Sequence, residues 1–224
     1  MTGNTSFRPF THGFYFSNHY IRWSWGAAHG RQLCGGMAFA SLDFFYYRMT
    51  IPSDFNPPEE GTPLHNYILR RQLHAHTFAI PRLISGGSRW RDRPFEACLR
   101  GDRNFGIVKS FIDNGRPIPI LLASNRDTLS TDSHWVTAIG YESERSANFN
   151  CEVATKILLY DNNRPNVTSE LVPDHHANCF KILTTTGTYG YYAPYPDYTS
   201  IRPTAAEMAV RPNATQLVTN PFNI

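Results

Sequence analysis

A cysteine followed by two glycines, Cys34-Gly35-Gly36, heads the stretch CGGMAFASLDFFYYRM. Its apolar residues Met37, Phe39, Ala40, Leu42, Phe44, Phe45 and Tyr46 surround most of a helical wheel, and a helix apolar on nearly every side is a buried one. The first turn of a helix carries N–H groups without intrahelical partners and a partial positive charge, which together favour a thiolate over a thiol. Two glycines beside the sulfur let a substrate backbone come close and offer amide donors to a developing oxyanion. Gly35 is therefore a candidate oxyanion donor and Gly36 a candidate cleft residue. The plain alternative for Cys34 is a small buried hydrophobe.

A hundred residues further on, His134 opens the apolar stretch HWVTAIGYE, and Asp161 closes TKILLYD. If these two strands pair antiparallel through a loop, the start of one lies beside the end of the other. A carboxylate so placed holds the imidazole in one tautomer and stabilises its charged form. An aspartate ahead of Asn162-Asn163 is otherwise a turn former. Cys34, His134 and Asp161 form the candidate catalytic set, with Trp135 and Asn162 as further cleft candidates. Trp135 would either shield the imidazole from water or pack in the core. Asp43, among the aromatics of the Cys34 helix, reads as a buried polar group bonded to a neighbour.

The elements that must hold these residues divide by position. Residues 1–30 are rich in aromatics, Gly, Asn and His without a helical period and read as an irregular lead-in. The Cys34 helix ends before Ile51-Pro52, and residues 52–63 form a proline-rich loop. Residues 64–78 suit an amphipathic surface helix, followed by a loop at Gly86-Gly87; FEACLRGDRNFGIVKSFIDNGRP reads as one or two helices closing at Gly115. Beyond Pro117 the period shifts toward two, giving strands at 117–123, 134–142 and 155–161 and a plausible fourth at 178–187. The Tyr- and Pro-rich tail reads as an extended arm. Helices first and strands second indicate an α+β fold, with an N-terminal helical part carrying the nucleophile on a buried helix and packed on a C-terminal antiparallel β-sheet. The expectation is one domain over residues 1–224, its core at 30–165 and a further strand and tail at 166–224.

Composition excludes several function classes. With 41% hydrophobic and 17% charged residues the chain is an ordinary globular one, and a net charge of +3 gives little attraction to nucleic acid or anionic membrane. The densest basic stretch, between Arg82 and Arg103, is interleaved with Asp92, Glu96 and Asp102 and reads as a solvated face. No apolar run is long enough to span a membrane, and no basic segment followed by an apolar core marks a signal peptide. The expected setting is a reducing cytosol, or export without a classical signal peptide. The four cysteines (34, 98, 151 and 179) match neither a zinc ribbon nor a CxxC redox pair. His175, His176 and Cys179 could be read as a zinc site, but adjacent histidines diverge and no fourth ligand stands nearby, so neither metal nor cofactor is expected. His74 and His76, two apart on a helix, share no face.

The order of helix-opening Cys34, strand-opening His134 in SHWVTAIGYE and Asp161 closing the strand in KILLYDNNRPN resembles the papain-like cysteine peptidases, the C39-like branch in particular. IDNGRPIPILLA is similar to the strand that precedes the histidine there. The resemblance covers roughly residues 30–165 and implies a papain-like fold, a Cys-His-Asp triad, thiol protease activity on a protein or peptide substrate, and no cofactor. The same triad serves deamidases, transglutaminases and acyltransferases, and the shape can persist as a non-catalytic binding module. A toxin or effector domain is the implied setting. The family's oxyanion-hole glutamine stands several residues before the cysteine; here the position six before is Ala28, and Gln32 lies only two before. Gln32 is thus the candidate side-chain donor, with Ser24 and His29 as others.

Overall fold

The stretches read as strands all enter one sheet, and segments with no strand reading complete it, residues 168–174 inside the sheet and others at its edges. The computed structural model describes residues 1–25, 28–91, 103–123, 133–146, 151–177, 179–183, 185 and 188–208, with side chains described except at 25, 28–31, 78–91, 103 and 191. The side chains of the basic stretch between Arg82 and Arg103, those of Ala28 and His29, Cys98, and the tail beyond residue 208 lie outside the described set.

In chain order the first elements are β1 (Thr2–Asn4), α1 (Pro9–His12), a 3-10 turn (Asn18–Tyr20), β2 (Arg22–Trp25), β3 (Ala28–Arg31), α2 (Cys34–Tyr46), α3 (Pro63–Arg91) and α4 (Arg103–Asp113). The strands β4 (Ile118–Ala123), β5 (His134–Ser146), β6 (Cys151–Tyr160), β7 (Thr168–Asp174), β8 (Cys179–Ile182), β9 (Thr188–Tyr189) and β10 (Tyr191–Pro194) follow. The chain forms two compact units. One is built from Met1–Arg8, Ala79–Asp161 and Thr168–Tyr198, the other from Pro9–Phe78, Asn162–Val167 and Thr199–Ile224.

The first unit is an eight-stranded, mostly antiparallel sheet that nearly closes as a barrel, in the order β10-β4-β5-β6-β7-β8-β9, with β1 on β5. The long β5–β6 hairpin is its centre, and Ile120, Leu122, Val136, Ala138, Ile157 and Leu159 supply the core together with α4. On α4, Phe105, Val108 and Ile112 fall on one face and are buried, as a 3.6-residue period requires. The helix stops at Gly115, whose φ of 71° and bonds from Gly115 N–H to Ile112 O and Arg116 N–H to Phe111 O form a Schellman motif. Lys109 Nζ and the Tyr141 hydroxyl both donate to Asp113, tying the outer side of α4 to β5. Strand β1 sits so close to β5 that a Cβ on Gly140 would meet Asn4 Oδ1 at 2.4 Å and Gly3 O at 2.9 Å; glycine is what admits the extra strand.

The second unit packs Phe14, Phe16, Ile21, Leu33, Met37, Ala40, Phe44, Tyr67 and Ile68 between the lead-in, α2 and α3. Helix α2 ends as α4 does, but with Arg48 in the left-handed position (φ 53°) and Met49 N–H bonded to Phe44 O. In its middle, Asp43 has 0% exposure. It pairs with the Arg71 guanidinium, whose Nε lies 2.8 Å away, and accepts from Arg71 Nη2 at 3.2 Å, the Tyr67 hydroxyl at 2.6 Å and Ile201 N–H at 2.8 Å. Arg71 also donates to Thr199 O, so one carboxylate joins two helices to the C-terminal segment. Burial and the Asp43 charge push the Tyr67 hydroxyl well above the usual phenol range, which keeps it a donor.

The expected papain-like layout, a helical N-terminal part packed on a C-terminal sheet, is overturned by this topology. The sheet is a near-closed barrel, and the described residues hold only four α-helices. The cause lies in segments read as irregular. Residues 2–4 pair with 140–142, residues 191–194 pair with 120–123, and the lead-in contains the β2–β3 hairpin. Helix α3 also runs on through Pro81 and Gly86-Gly87, which the sequence reads as a loop; a proline removes a helical bond and kinks a helix without always ending it. No described helix is long and apolar enough to cross a membrane.

Replacing Asp43 by Ala would leave Arg71, whose side chain is 1% exposed, without its counter-charge. The expected loss of unfolding free energy is about 3–5 kcal/mol, read as a shift of the urea midpoint at unchanged slope. A shift no larger than that of an exposed control such as Asp54→Ala would contradict this role.

Candidate functional site

The β5–β6 register settles where the imidazole and the carboxylate meet. Thr137 lies opposite Tyr160, so continuing the antiparallel count puts Asp161 level with Val136. His134 is then its diagonal neighbour on the same face, a relation that long side chains can bridge. They do: His134 Nε2 lies 2.7 Å from Asp161 Oδ1, with side-chain exposures of 8% and 1%. An ionised carboxylate only accepts, so the proton belongs on Nε2 and the lone pair of the neutral ring falls on Nδ1. This is the pairing the strand order predicts.

Trp135, one residue along the same strand, points to the opposite face. It is buried and stacks edge-on against Tyr195, with ring centroids 6.2 Å apart. Its surroundings are those of a core residue.

Cys34 is the first residue of α2, a half-buried thiol. The residue before it, Leu33, is the N-cap and makes no side-chain cap bond, because its side chain has no polar atom and is buried in the core. In an ordinary capping box the N-cap side chain bonds the N–H three residues on, and that residue's side chain bonds the N-cap N–H. Here Leu33 and Gly36 occupy those two positions, and neither can do so. Two other amides do it for them. Asn18 Oδ1 accepts from Leu33 N–H at 2.5 Å, and Gln72 Oε1 accepts from Gly36 N–H at 2.7 Å. On the other side of the thiol, Asn162 Nδ2 donates to Cys34 O at 2.9 Å.

These contacts alter the roles read for the flanking residues. Gly36 is buried, its amide is held by Gln72, and a Cβ there would lie 2.1 Å from Ile68 O. Its small size lets α3 approach α2; no substrate backbone is needed to explain it. Gln32 is exposed with φ 75°, and its side-chain amide lies 3.3 Å from His19 Nδ1. Ser24 is exposed and bonds Glu60. Gly35 is buried in the first turn of the helix. Asn162, with 0% exposure, holds backbone. The sequence alone does not point to Asn18 or Gln72: Asn18 lies in the aromatic lead-in and Gln72 in a basic helix, and no local pattern links either to Cys34.

Elsewhere, His175 and His176 are exposed in the turn joining β7 to β8, where Asp174 accepts from His176 N–H and Ala177 N–H. Cys179 is buried, and burial followed by the Asp174 charge pushes its thiol up. Among the described residues no group of three or more His, Cys, Asp or Glu side chains could hold a metal ion. His74 and His76 face separate partners, Arg71 and Gln72. No family model, curated protein or solved structure matches the chain.

The Asp161 bond fixes the imidazole tautomer, and Asp161→Asn should reverse it, since an asparagine amide can donate to Nε2. Nitrogen NMR of His134 at alkaline pH, where the ring is neutral, should find the proton on Nε2 in the wild type and on Nδ1 in the variant. The same tautomer in both would contradict the assignment.

Proposed function

We propose that the chain is a thiol hydrolase, a cysteine peptidase acting on a protein or peptide, with Cys34 as nucleophile, His134 as general base and acid, and Asp161 as the group that orients the imidazole. The observation that carries this reading is the buried His134–Asp161 pair at 2.7 Å, which has the form of an imidazole held for proton transfer. A thiol on the first residue of a helix supports it, since that position favours the thiolate. The reading rests on these residues and not on a papain-like architecture; nucleophile, imidazole and carboxylate sets recur on unrelated folds.

In this mechanism the imidazole takes the Cys34 proton and the sulfur attacks the substrate carbonyl carbon. The carbonyl π pair moves onto oxygen. When it returns, the C–N bond breaks, the imidazolium protonates the leaving amine, and a thioester to Cys34 remains. Water, deprotonated by His134, then attacks the thioester, releasing the acid and restoring the thiol. If an amine resolves the thioester in place of water, the same site is a transglutaminase or acyltransferase; if the substrate is a side-chain amide, it is a deamidase. Gly36 is no free oxyanion donor, because Gln72 already holds its amide.

The test is the pH dependence of iodoacetamide labelling at each cysteine, read by mass spectrometry, in wild type and His134→Ala. Cys34 should label fastest at neutral pH with a midpoint well below ~8.5, and lose that advantage in His134→Ala. Cys179, buried with a raised thiol, should label slowest. Uniform labelling indifferent to His134 would remove the catalytic reading and favour a binding module.

A further inference from the structure

A left-handed backbone at a non-glycine residue is strained and persists only where its surroundings impose it. Gln32, two residues before Cys34, is such a residue. The contacts that impose it are in place: Gln32 N–H donates to Ile21 O at 3.0 Å, and the next N–H, that of Leu33, donates to Asn18 Oδ1. Asn18 has 0% exposure, and its backbone N–H and both ends of its side-chain amide serve the same task. Its N–H donates to Asn162 O at 2.9 Å, and its Nδ2 to Asn163 Oδ1 at 3.0 Å. Ser17 adds a bond from Oγ to Asn163 O. Asn162 in turn donates to Cys34 O. The chain on both sides of the sulfur is thus fastened to residues 162 and 163, which follow Asp161 directly in the sequence.

A buried side-chain amide is costly unless all its groups are bonded, and a helix start can be capped by a single local Ser or Asp. The chain instead uses Asn18 and Gln72, remote in sequence, for the capping box of α2, and adds Asn162 to hold the carbonyl of Cys34 itself. A cap alone does not need that third bond.

We propose that Asn18, Gln72 and Asn162 are positioning residues for the Cys34 thiol: they fix its backbone from both sides and bind it to the segment that follows Asp161. The proposal rests on the functional reading above, and its test separates the two. Iodoacetamide rates at Cys34 and Cys151 are measured against pH in wild type, His134→Ala, Asn18→Ala, Asn162→Ala and Gln72→Ala. Amide hydrogen exchange is followed at Leu33 and Gly36, and folding is checked by circular dichroism.

The expected result is a Cys34 rate at neutral pH lowered about tenfold or more in each Asn and Gln variant, with Cys151 unchanged. Leu33 exchange should quicken in Asn18→Ala alone and Gly36 exchange in Gln72→Ala alone. Asn18→Asp, which keeps the acceptor oxygen, should restore Leu33 protection. Folded variants whose amides exchange faster while the Cys34 profile matches wild type would overturn the positioning role and leave the function standing. A wild-type profile that is ordinary and indifferent to His134 would overturn both. Should Asn18→Ala not fold, Asn162→Ala and Gln72→Ala carry the same outcomes.

Discussion

A carboxylate with no solvent contact sits nine residues into the Cys34 helix, and much of the helical unit is arranged around its need for donors. Left without them, Asp43 would be a buried charge of prohibitive cost. Arg71 and Tyr67 meet it from α3, and Ile201 N–H meets it from the C-terminal segment. Satisfying one ion therefore settles three things: the rotation of α2, the register of α3 against it, and the path of residues 199–201. The guanidinium is itself packed over the Phe39 ring, 5.2 Å from its centroid, so the pair is enclosed by apolar surface. Gly36 then follows as a consequence, because the approach that brings Tyr67 and Arg71 to Asp43 also brings Ile68 O against the start of α2.

The start of α2 is held by a different kind of interaction. Leu33 belongs to the core, so the position where a Ser or Asp would cap the helix carries no polar atom. The capping function has moved to Asn18 and Gln72, and a third amide, that of Asn162, holds the carbonyl of Cys34. A charged network fixes the middle of the helix and neutral amides fix its first turn. Neutral amides leave the positive end of the helix uncompensated, which a cap by Asp would not. In the sheet unit the equivalent constraint is the β5–β6 register, which sets Asp161 diagonal to His134.

How much of this was legible depended on whether a feature was local. The Cys34 helix is apolar on nearly every side, and its start at Cys34 is legible directly. Gly115 marked the end of α4, and the His134–Asp161 juxtaposition followed from strand order alone. The layout expected for those parts did not hold. Strand β1 has three residues, Thr-Gly-Asn, too few for a period of two, and β10 is Tyr-Tyr-Ala-Pro, which reads as tail. Both exist because β5 and β4 offer edges to pair with, a tertiary demand that outweighs local propensity. Strand β7 carries Pro173, which argues against a strand when met in sequence. Asn18 and Gln72 were invisible for the same reason: their value lies in a helix start remote in sequence. Gly36 suggests room for a substrate in the sequence, whereas its neighbour in the fold is the backbone of α3.

The central claim is that Cys34 is held as an activated thiol, and the most direct measurement is the ultraviolet absorbance of its thiolate against pH, taken as the difference between wild type and Cys34→Ala. The account predicts a single absorbance step with its midpoint well below the ~8.5 of an ordinary thiol. A step at or above that value would mean that the helix start and the His134–Asp161 pair do not act on the sulfur, and the account would be wrong.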